Sequence, residues 1–109
     1  MVLSVAPDDA ETEGPRDPER TAEVLAALAS PHRLEVVALL AEGDLPVSEV
    51  ARRLGLSVAN ASHHLARLRR PGLVATRREG TRVVCRLVPT EVLEVCSALS
   101  RLADRASDP

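Results

Sequence analysis

The sequence contains no Phe, Tyr or Trp, although 45% of its 109 residues are hydrophobic. The core of the folded chain must therefore be built from aliphatic side chains. Domains that bind single-stranded nucleic acid stack its bases on aromatic side chains, so this absence disfavours RNA-binding sheets of that kind. A chain of this length has room for one domain with one core, and too little for a two-domain enzyme with an interdomain cleft.

Acidic and basic residues are segregated along the chain. The formal net charge is −2, and all 14 basic residues are arginines. Residues 1–20 hold six acidic residues and two arginines, whereas residues 50–86 hold nine arginines and one acidic residue, Glu79. The second segment predicts a local basic surface of the kind that binds phosphate groups.

The sequence has no features of a secreted or membrane-spanning protein. It has no basic start followed by an apolar stretch, and no apolar run approaches the roughly 18 residues that a membrane span requires. Cys85 and Cys96 are too few and too far apart for a disulfide scaffold or a paired CxxC zinc site. We therefore expect a cytoplasmic protein with two reduced thiols and no membrane partner.

Local start and stop signals predict five helices and one hairpin. Asp17, Ser30 and Ser57 suit helix N-caps, and Gly43 and Gly55 suit helix ends. Residues 1–17 are predicted to be a disordered acidic tail, residues 18–105 one domain, and residues 106–109 a second tail. The predicted helices span 18–29, 31–42, 47–54, 58–70 and 90–105, and the predicted strands 73–78 and 81–87 flank a turn at Glu79-Gly80.

Apolar periodicity predicts which side chains face the core. In the helices these are Val24, Leu25, Leu28, Leu34, Val37, Ala38, either Leu40 or Ala41, Val50, Ala51, Leu54, Val58, Ala61, Leu65 and Leu68. Along the second strand, alternation predicts Val83, Cys85 and Leu87 inward and Arg82, Val84 and Arg86 outward. The last helix carries more apolar surface than a chain of this size has core to cover. Its stripe is the predicted dimer interface: Val92, Val95, Cys96, Leu99 and Leu102.

Helix, glycine turn, helix and basic hairpin follow one another in the order of a winged helix-turn-helix, a mainly α fold with a small β-hairpin wing. Asn pairs bidentately with adenine, Arg pairs with guanine, and His donates to a base or phosphate acceptor. A serine cap and the first helical amides suit a phosphate oxygen. The predicted contacts to double-stranded DNA are Ser57, Ala59, Asn60, Ser62, His63, His64, Arg67 and Arg70 on the second helix of the pair, and Arg77, Arg78 and Arg82 on the wing.

Three other interpretations account for parts of this pattern. An arginine-rich helix and hairpin can be merely solvated, but here the helix spacing, the serine cap and the basic hairpin coincide. A winged helix can also dock a protein through its basic face, with sensing supplied by a separate effector-binding partner. Acid–base catalysis by His63 and His64 lacks a nucleophile, a carboxylate pair and an enclosed pocket. We therefore do not expect an enzyme.

The ARRLGLS turn, the SHHL segment and the GLV strand start resemble the pattern of the ArsR/SmtB transcriptional regulators, over about residues 18–105. The resemblance implies a homodimer whose first and last helices pair across a two-fold axis. It implies two recognition helices in successive major grooves of a near-palindromic operator. It also carries DNA contact onto Ser57, Asn60, Ser62, His63, His64 and Arg67.

Many members of this family sense metal ions. One family site, a cysteine-bearing box, would fall near residues 43–47, which read GDLPV and contain no thiol. Because soft ions select thiolates, arsenite or cadmium sensing there is disfavoured. A second family site, between the paired last helices, would fall near Pro89, Glu91, Leu102 and Arg105, where only Glu91 can ligate.

The remaining metal candidates are scattered. The weak candidates are His32, Glu91, Glu94 and Cys96, with His63, His64 and Cys85 more simply explained by DNA contact or packing. Their chemistry favours a nickel- or zinc-class ion over a thiophilic one. A thiol- or redox-responsive regulator without metal is the alternative that the two cysteines leave open.

Overall fold

Capping side chains fix where the first two helices begin. The computed structural model describes residues 14 and 16–107, so the predicted N-terminal tail falls almost wholly outside the described residues, as do residues 108–109. Asp17 accepts a hydrogen bond from the backbone nitrogen of Arg20 at 3.1 Å. Ser30 accepts one from the backbone nitrogen of Arg33 at 3.3 Å. A proline occupies the first turn after each cap, as predicted.

The described residues form a winged helix-turn-helix fold. The helices are α1 (Pro18–Leu28), α2 (Pro31–Leu40), α3 (Val47–Leu54), α4 (Val58–Arg69) and α5 (Glu91–Ala106). The strands are β1 (Leu45–Pro46), β2 (Val74–Glu79) and β3 (Arg82–Leu87). None of the helices between residues 16 and 107 is long and apolar enough to cross a membrane.

The sheet has three antiparallel strands in the order β1-β3-β2. The sequence analysis missed β1, which it assigned to a loop. Leu45 and Pro46 pair with Cys85 and Val84, and the edge position of β1 tolerates a proline that cannot donate a ladder hydrogen bond. The hairpin turn is also one residue later than predicted. Glu79 lies opposite Arg82, so the loop is Gly80-Thr81, and the φ of 63° at Gly80 is one that glycine adopts without strain.

The core lies where α2, α3, α4 and the sheet meet, and it is aliphatic, as expected from the composition. Its most completely buried large side chains are Val36, Val37, Val50, Leu68, Val74 and Cys85. Cys96 and Leu87 pack against this cluster from its edge. The same contacts hold α3 and α4 against the sheet, and so fix the direction of the helix pair relative to the wing.

The buried face of α2 is only partly the one predicted, because Val37 and Leu40 are buried as expected but Leu34 and Ala38 are not. Leu34 and Ala38 are exposed, whereas Arg33, Val36, Val37 and Leu40 are buried. These four residues follow a regular i, i+3, i+4, i+7 spacing. The prediction failed because it treated Arg33 as a surface residue, which shifted the apparent apolar stripe around the helix.

Three further predictions of side-chain direction are wrong. Leu25 is exposed on α1. Val58 is 54% exposed because it lies in the first turn of α4, ahead of the first buried residue, Ala61. Val84 is 4% exposed although alternation placed it outward. Its neighbour Cys85 is buried as well, so both faces of the central strand are covered at this point and the alternation of polarity is lost.

Candidate nucleic-acid interface

The turn between α3 and α4 has the geometry that a helix-turn-helix requires. Gly55 has a φ of 67° and ends α3 in the left-handed conformation. Ser57 then accepts a hydrogen bond from the backbone nitrogen of Asn60 at 3.0 Å and caps α4. Both features were predicted from the sequence, and they turn the chain so that α4 leaves the core with its N-terminal amides open to a ligand.

Helix α4 has one buried face and one polar face. Ala61, Leu65 and Leu68 are buried, whereas seven of the predicted DNA contacts are exposed on the structure: Ser57, Ala59, Asn60, Ser62, His63, Arg67 and Arg70. His64 differs because it is half-buried. The predicted reading surface therefore forms a continuous polar strip, and His64 lies at its margin facing the protein. Which of these side chains bind DNA stays a prediction.

The wing brings Arg77, Arg78 and Arg82 to the exposed end of the hairpin, as predicted. Arg77, however, is held by two carboxylates. It lies 2.8 Å from Asp44 in the loop before β1 and 2.7 Å from Glu79 on its own strand. The hydrogen bonds that Arg77 donates to Asp44 and then to Glu79 are the main causes that raise the pKa of Arg77. In the DNA-free protein, therefore, the positive charge of Arg77 is already partly offset by these two carboxylates.

Two other arginines of the basic segment are paired on their own helix. Arg52 and Arg53 both form ion pairs with Glu49 on α3. Hydrogen bonds from Arg52 and then Arg53 lower the pKa of Glu49 to about 2. Counting charges over residues 50–86 missed these partners because Asp44 and Glu49 precede that window. The basic surface consequently depends mostly on the other arginines of α4, β2 and β3.

We predict that Asp44→Asn strengthens binding to duplex DNA of any sequence. Removing the carboxylate leaves Arg77 only one acidic partner, so a phosphate oxygen meets less competition. Because an exposed ion pair is weak, the expected gain is about two- to fivefold in affinity. Fluorescence anisotropy at one fixed salt concentration measures it. Asp104→Asn, an equal change of charge on α5, is the control, and equal gains from both variants would refute a specific role for Asp44.

A buried arginine is the main feature that the sequence analysis missed. Arg33 is 9% exposed. Its Nε donates to the carbonyl of Ala27 at 2.6 Å, and its Nη2 donates to the carbonyl of Ala26 at 3.4 Å. Its Nη1 lies 3.3 Å from Nδ1 of His64. The signal that could have found it is its spacing from Val36, Val37 and Leu40, which places it on the apolar face of α2.

The structure does not assemble the predicted metal candidates into a site. Within the part of the chain that it describes, no group of three or more His, Cys, Asp or Glu side chains is placed to hold a metal ion. His32 forms a 3.3 Å pair with Glu35, whereas Glu91, Glu94 and Cys96 lie on α5. The donors within residues 16–107 of one protomer therefore do not fit a nickel- or zinc-class ion.

Both cysteines are poorly suited to react. Cys85 is buried on β3 and Cys96 is partly buried on α5, and neither is in a disulfide. Burial raises the pKa of the Cys85 thiol and that of the Cys96 thiol. Because the thiolate is the reactive form, both side chains have the properties of small hydrophobes, as the sequence analysis favoured.

Comparison with known proteins places this geometry in a family. Residues 30–76 match the family described as "Bacterial regulatory protein, arsR family". The transcriptional activator HlyU of Vibrio cholerae is 42% identical over 84 residues, which cover 77% of this chain and 78% of that protein. The chain belongs to the ArsR family of bacterial regulatory proteins. It is a transcriptional regulator with a winged helix-turn-helix DNA-binding fold, and not an enzyme.

Solved structures of relatives share the whole fold. The structure of HlyU from Vibrio cholerae matches with a TM-score of 0.71 at 38% identity, over 82% of this chain and 97% of that one. A homodimeric winged helix-turn-helix DNA-binding domain from Mycobacterium bovis matches with a TM-score of 0.74 at 30% identity, over 98% of this chain and 94% of that one. The resemblance drawn from the ARRLGLS, SHHL and GLV segments is confirmed.

Proposed function

We propose that this regulator is a cytoplasmic homodimer that binds a near-palindromic double-stranded operator. Helix α4 lies in the major groove, and the β2–β3 wing lies along the phosphate backbone. The observation that carries this proposal is the exposed polar strip of α4. It has a capped N-terminus, base-reading side chains at its centre and arginines at its C-terminal end, directly opposite the stripe that fixes the helix to the core.

The exposed apolar side chains of α5 support the homodimer. Over its 16 residues this helix buries one, Val92, which is 4% exposed and packs in the protomer's own core. Leu93, Val95 and Leu102 remain exposed. An interface between copies would cover such a face. Of the predicted interface stripe, Val95, Leu99 and Leu102 are then the residues that a partner would contact, and the Mycobacterium bovis relative described as homodimeric offers a precedent.

The effector that controls DNA binding could act by three routes: a metal ion, a thiol response or a partner protein. A response to a nickel- or zinc-class ion would require ligands from both protomers, because the described part of one protomer gathers no three donors. A thiol response would have to overcome the burial that raises the pKa of both cysteines. A separate effector-binding partner stays a prediction. A panel of divalent ions, oxidants and a chelator, added to the protein–operator complex, distinguishes these routes.

We expect Arg67→Ala and Arg78→Ala to weaken DNA binding in different ways. Arg67 lies on the exposed face of α4, so its loss is expected to cost about 1–3 kcal/mol on a sequence selected from a random pool and much less on unselected DNA. Arg78 lies on the wing, so its loss is expected to weaken binding to both DNAs equally and to lower the slope of log affinity against log salt by about one.

The matched control for this test is Arg101→Ala, which removes an equal charge from an exposed position on α5. Its affinity for both DNAs is expected to equal that of the wild type. If the wild-type protein selects no sequence from the random pool, the proposed function is wrong. If Arg67→Ala weakens selected and unselected DNA to the same degree, α4 is not the reading helix.

A further inference from the structure

Arg33 connects the end of α1 to the predicted reading helix. It is the one charged side chain that is buried within residues 16–107. Two of its nitrogens donate to the last carbonyls of α1, those of Ala26 and Ala27. The third, Nη1, lies within hydrogen-bond distance of Nδ1 of His64, 31 residues further along the chain. The fork of donors on a guanidinium group spans these partners in a way that a single ammonium group cannot.

The contact between Arg33 and His64 determines where the imidazole carries its proton. A guanidinium group only donates hydrogen bonds and stays protonated throughout the accessible pH range. Nδ1 of His64 must therefore accept, and a neutral imidazole whose Nδ1 accepts carries its proton on Nε2. A proton on Nδ1 would place two donors against each other at 3.3 Å.

We propose that Arg33 is a positioning residue for sequence reading, which holds His64 as the neutral tautomer protonated on Nε2, so that α4 offers DNA a hydrogen-bond donor without a positive charge at this position. This inference rests on the proposed binding of DNA through α4. It goes beyond it by assigning a role to a buried residue outside the reading surface, and a specific hydrogen-bonding state to one member of that surface.

The Nε2 side of the His64 ring faces away from Arg33, which contacts Nδ1. Among the described residues, no protein group forms a hydrogen bond with Nε2 of His64. In that part of the chain, every buried side-chain nitrogen and oxygen has a hydrogen-bond partner. Because Nε2 has none, it is not buried and is accessible to solvent. A neutral N–H donor suits the acceptors in the major groove, which are N7 and O6 of guanine, N7 of adenine and O4 of thymine. It adds sequence preference without the salt-dependent attraction of a cation to phosphate.

Burial and the positive charges around His64 both favour its neutral form. Burial is the largest cause that lowers the pKa of His64, followed by Arg33 and then by His32, His63 and Arg67. The His32 ring lies 5.4 Å from the His64 ring, and the His63 ring lies 6.0 Å from it. The Glu35 carboxylate pairs with His32 at 3.3 Å. No acidic group among these neighbours offsets the positive charge of Arg33.

Nuclear magnetic resonance of the DNA-free protein tests the tautomer directly. Long-range nitrogen–proton correlation of the histidine rings is expected to show the His64 proton on Nε2 in the wild type, and a midpoint of protonation below that of an unperturbed histidine. The variant Arg33→Gln removes the positive charge and the guanidinium donors, so the midpoint of His64 protonation is expected to rise. A wild-type proton on Nδ1 refutes the proposal even if no variant folds. So does an unchanged midpoint in a folded Arg33→Gln, or in Arg33→Met, which also removes the charge and the donors, if the glutamine variant does not fold.

DNA binding tests the consequence. Between pH 7.5 and pH 6.0, Arg33→Gln is expected to gain affinity for the selected operator by about threefold or more beyond any gain of the wild type, because His64 becomes charged. In the double variant with His64→Gln this extra gain is expected to vanish. If the extra gain persists there, or never occurs, Arg33 does not act through His64. Absence of sequence-selective binding by the wild type would instead refute the proposed function, and the ring tautomer would still be measured independently.

Discussion

Leu68→Ala is expected to lower the free energy of unfolding by about 2–5 kcal/mol. Leu68 is fully buried on the inner face of α4, among the valines and leucines of the core. Truncation removes apolar contacts and leaves a cavity that surrounding aliphatic side chains fill only in part. Because a small domain has about 5–15 kcal/mol of total stability, this loss is a large part of it. Urea unfolding at one fixed protein concentration measures it.

The control for Leu68→Ala is Leu34→Ala, the same deletion at a leucine that is exposed on α2. It was predicted to face the core, and the structure places it at the surface. We expect its cost to be less than about 1 kcal/mol, as for surface substitutions generally. Equal costs at the two positions would show that the buried face of α2 or that of α4 is not the one described here.

Leu102→Glu is expected to weaken the dimer by at least about 100-fold in dissociation constant. Leu102 is 54% exposed in the protomer, so a charge there leaves the protomer's core intact, whereas Leu99 is half-buried in the protomer itself. Burying a leucine contributes about 1.5–3 kcal/mol, and an unpaired carboxylate in an interface adds a penalty of its own. Sedimentation velocity over a range of concentrations measures the dissociation constant, and circular dichroism tests whether the protomer stays folded.

Ser100→Glu is the matched control for Leu102→Glu. It adds the same charge two residues earlier, about 200° around α5, at an exposed serine. We expect it to remain a dimer. A dimeric Leu102→Glu variant would place the interface on another surface. If Leu102→Glu is monomeric and still binds the operator as tightly as the wild type, the two half-sites are not bound by a dimer.

The helix boundaries and the two faces of α4, the predicted reading helix, were predictable because the signals for them are local. A cap such as Ser57 bonds to a backbone nitrogen three residues away, and Gly55 adopts a positive φ within one turn. The stripe Ala61, Leu65, Leu68 repeats with the period of a helix. Each of these signals involves residues only a few positions apart, so it can be recognised from the sequence alone.

The side-chain partners that modify the site were not predictable in this way. Arg33 meets His64 across 31 residues, and Arg77 meets Asp44 across 33. The apolar pattern even placed Arg33 outside the core, because a charged residue is buried only where the fold supplies acceptors for its donors. Similarly, a window of nine arginines suggested an uninterrupted basic surface, although Glu49 and Asp44 fold against three of them.

The sequence by itself therefore determined the helices, the hairpin, the aliphatic core and the family, since these follow from short-range spacing and composition. Only the tertiary structure decided which face of α2 is buried, that Val84 lies inside the sheet, and which arginines remain available to phosphate. The physical reason is that a hydrogen bond or ion pair between distant residues depends on how the helices pack, and packing is a property of all the contacts together.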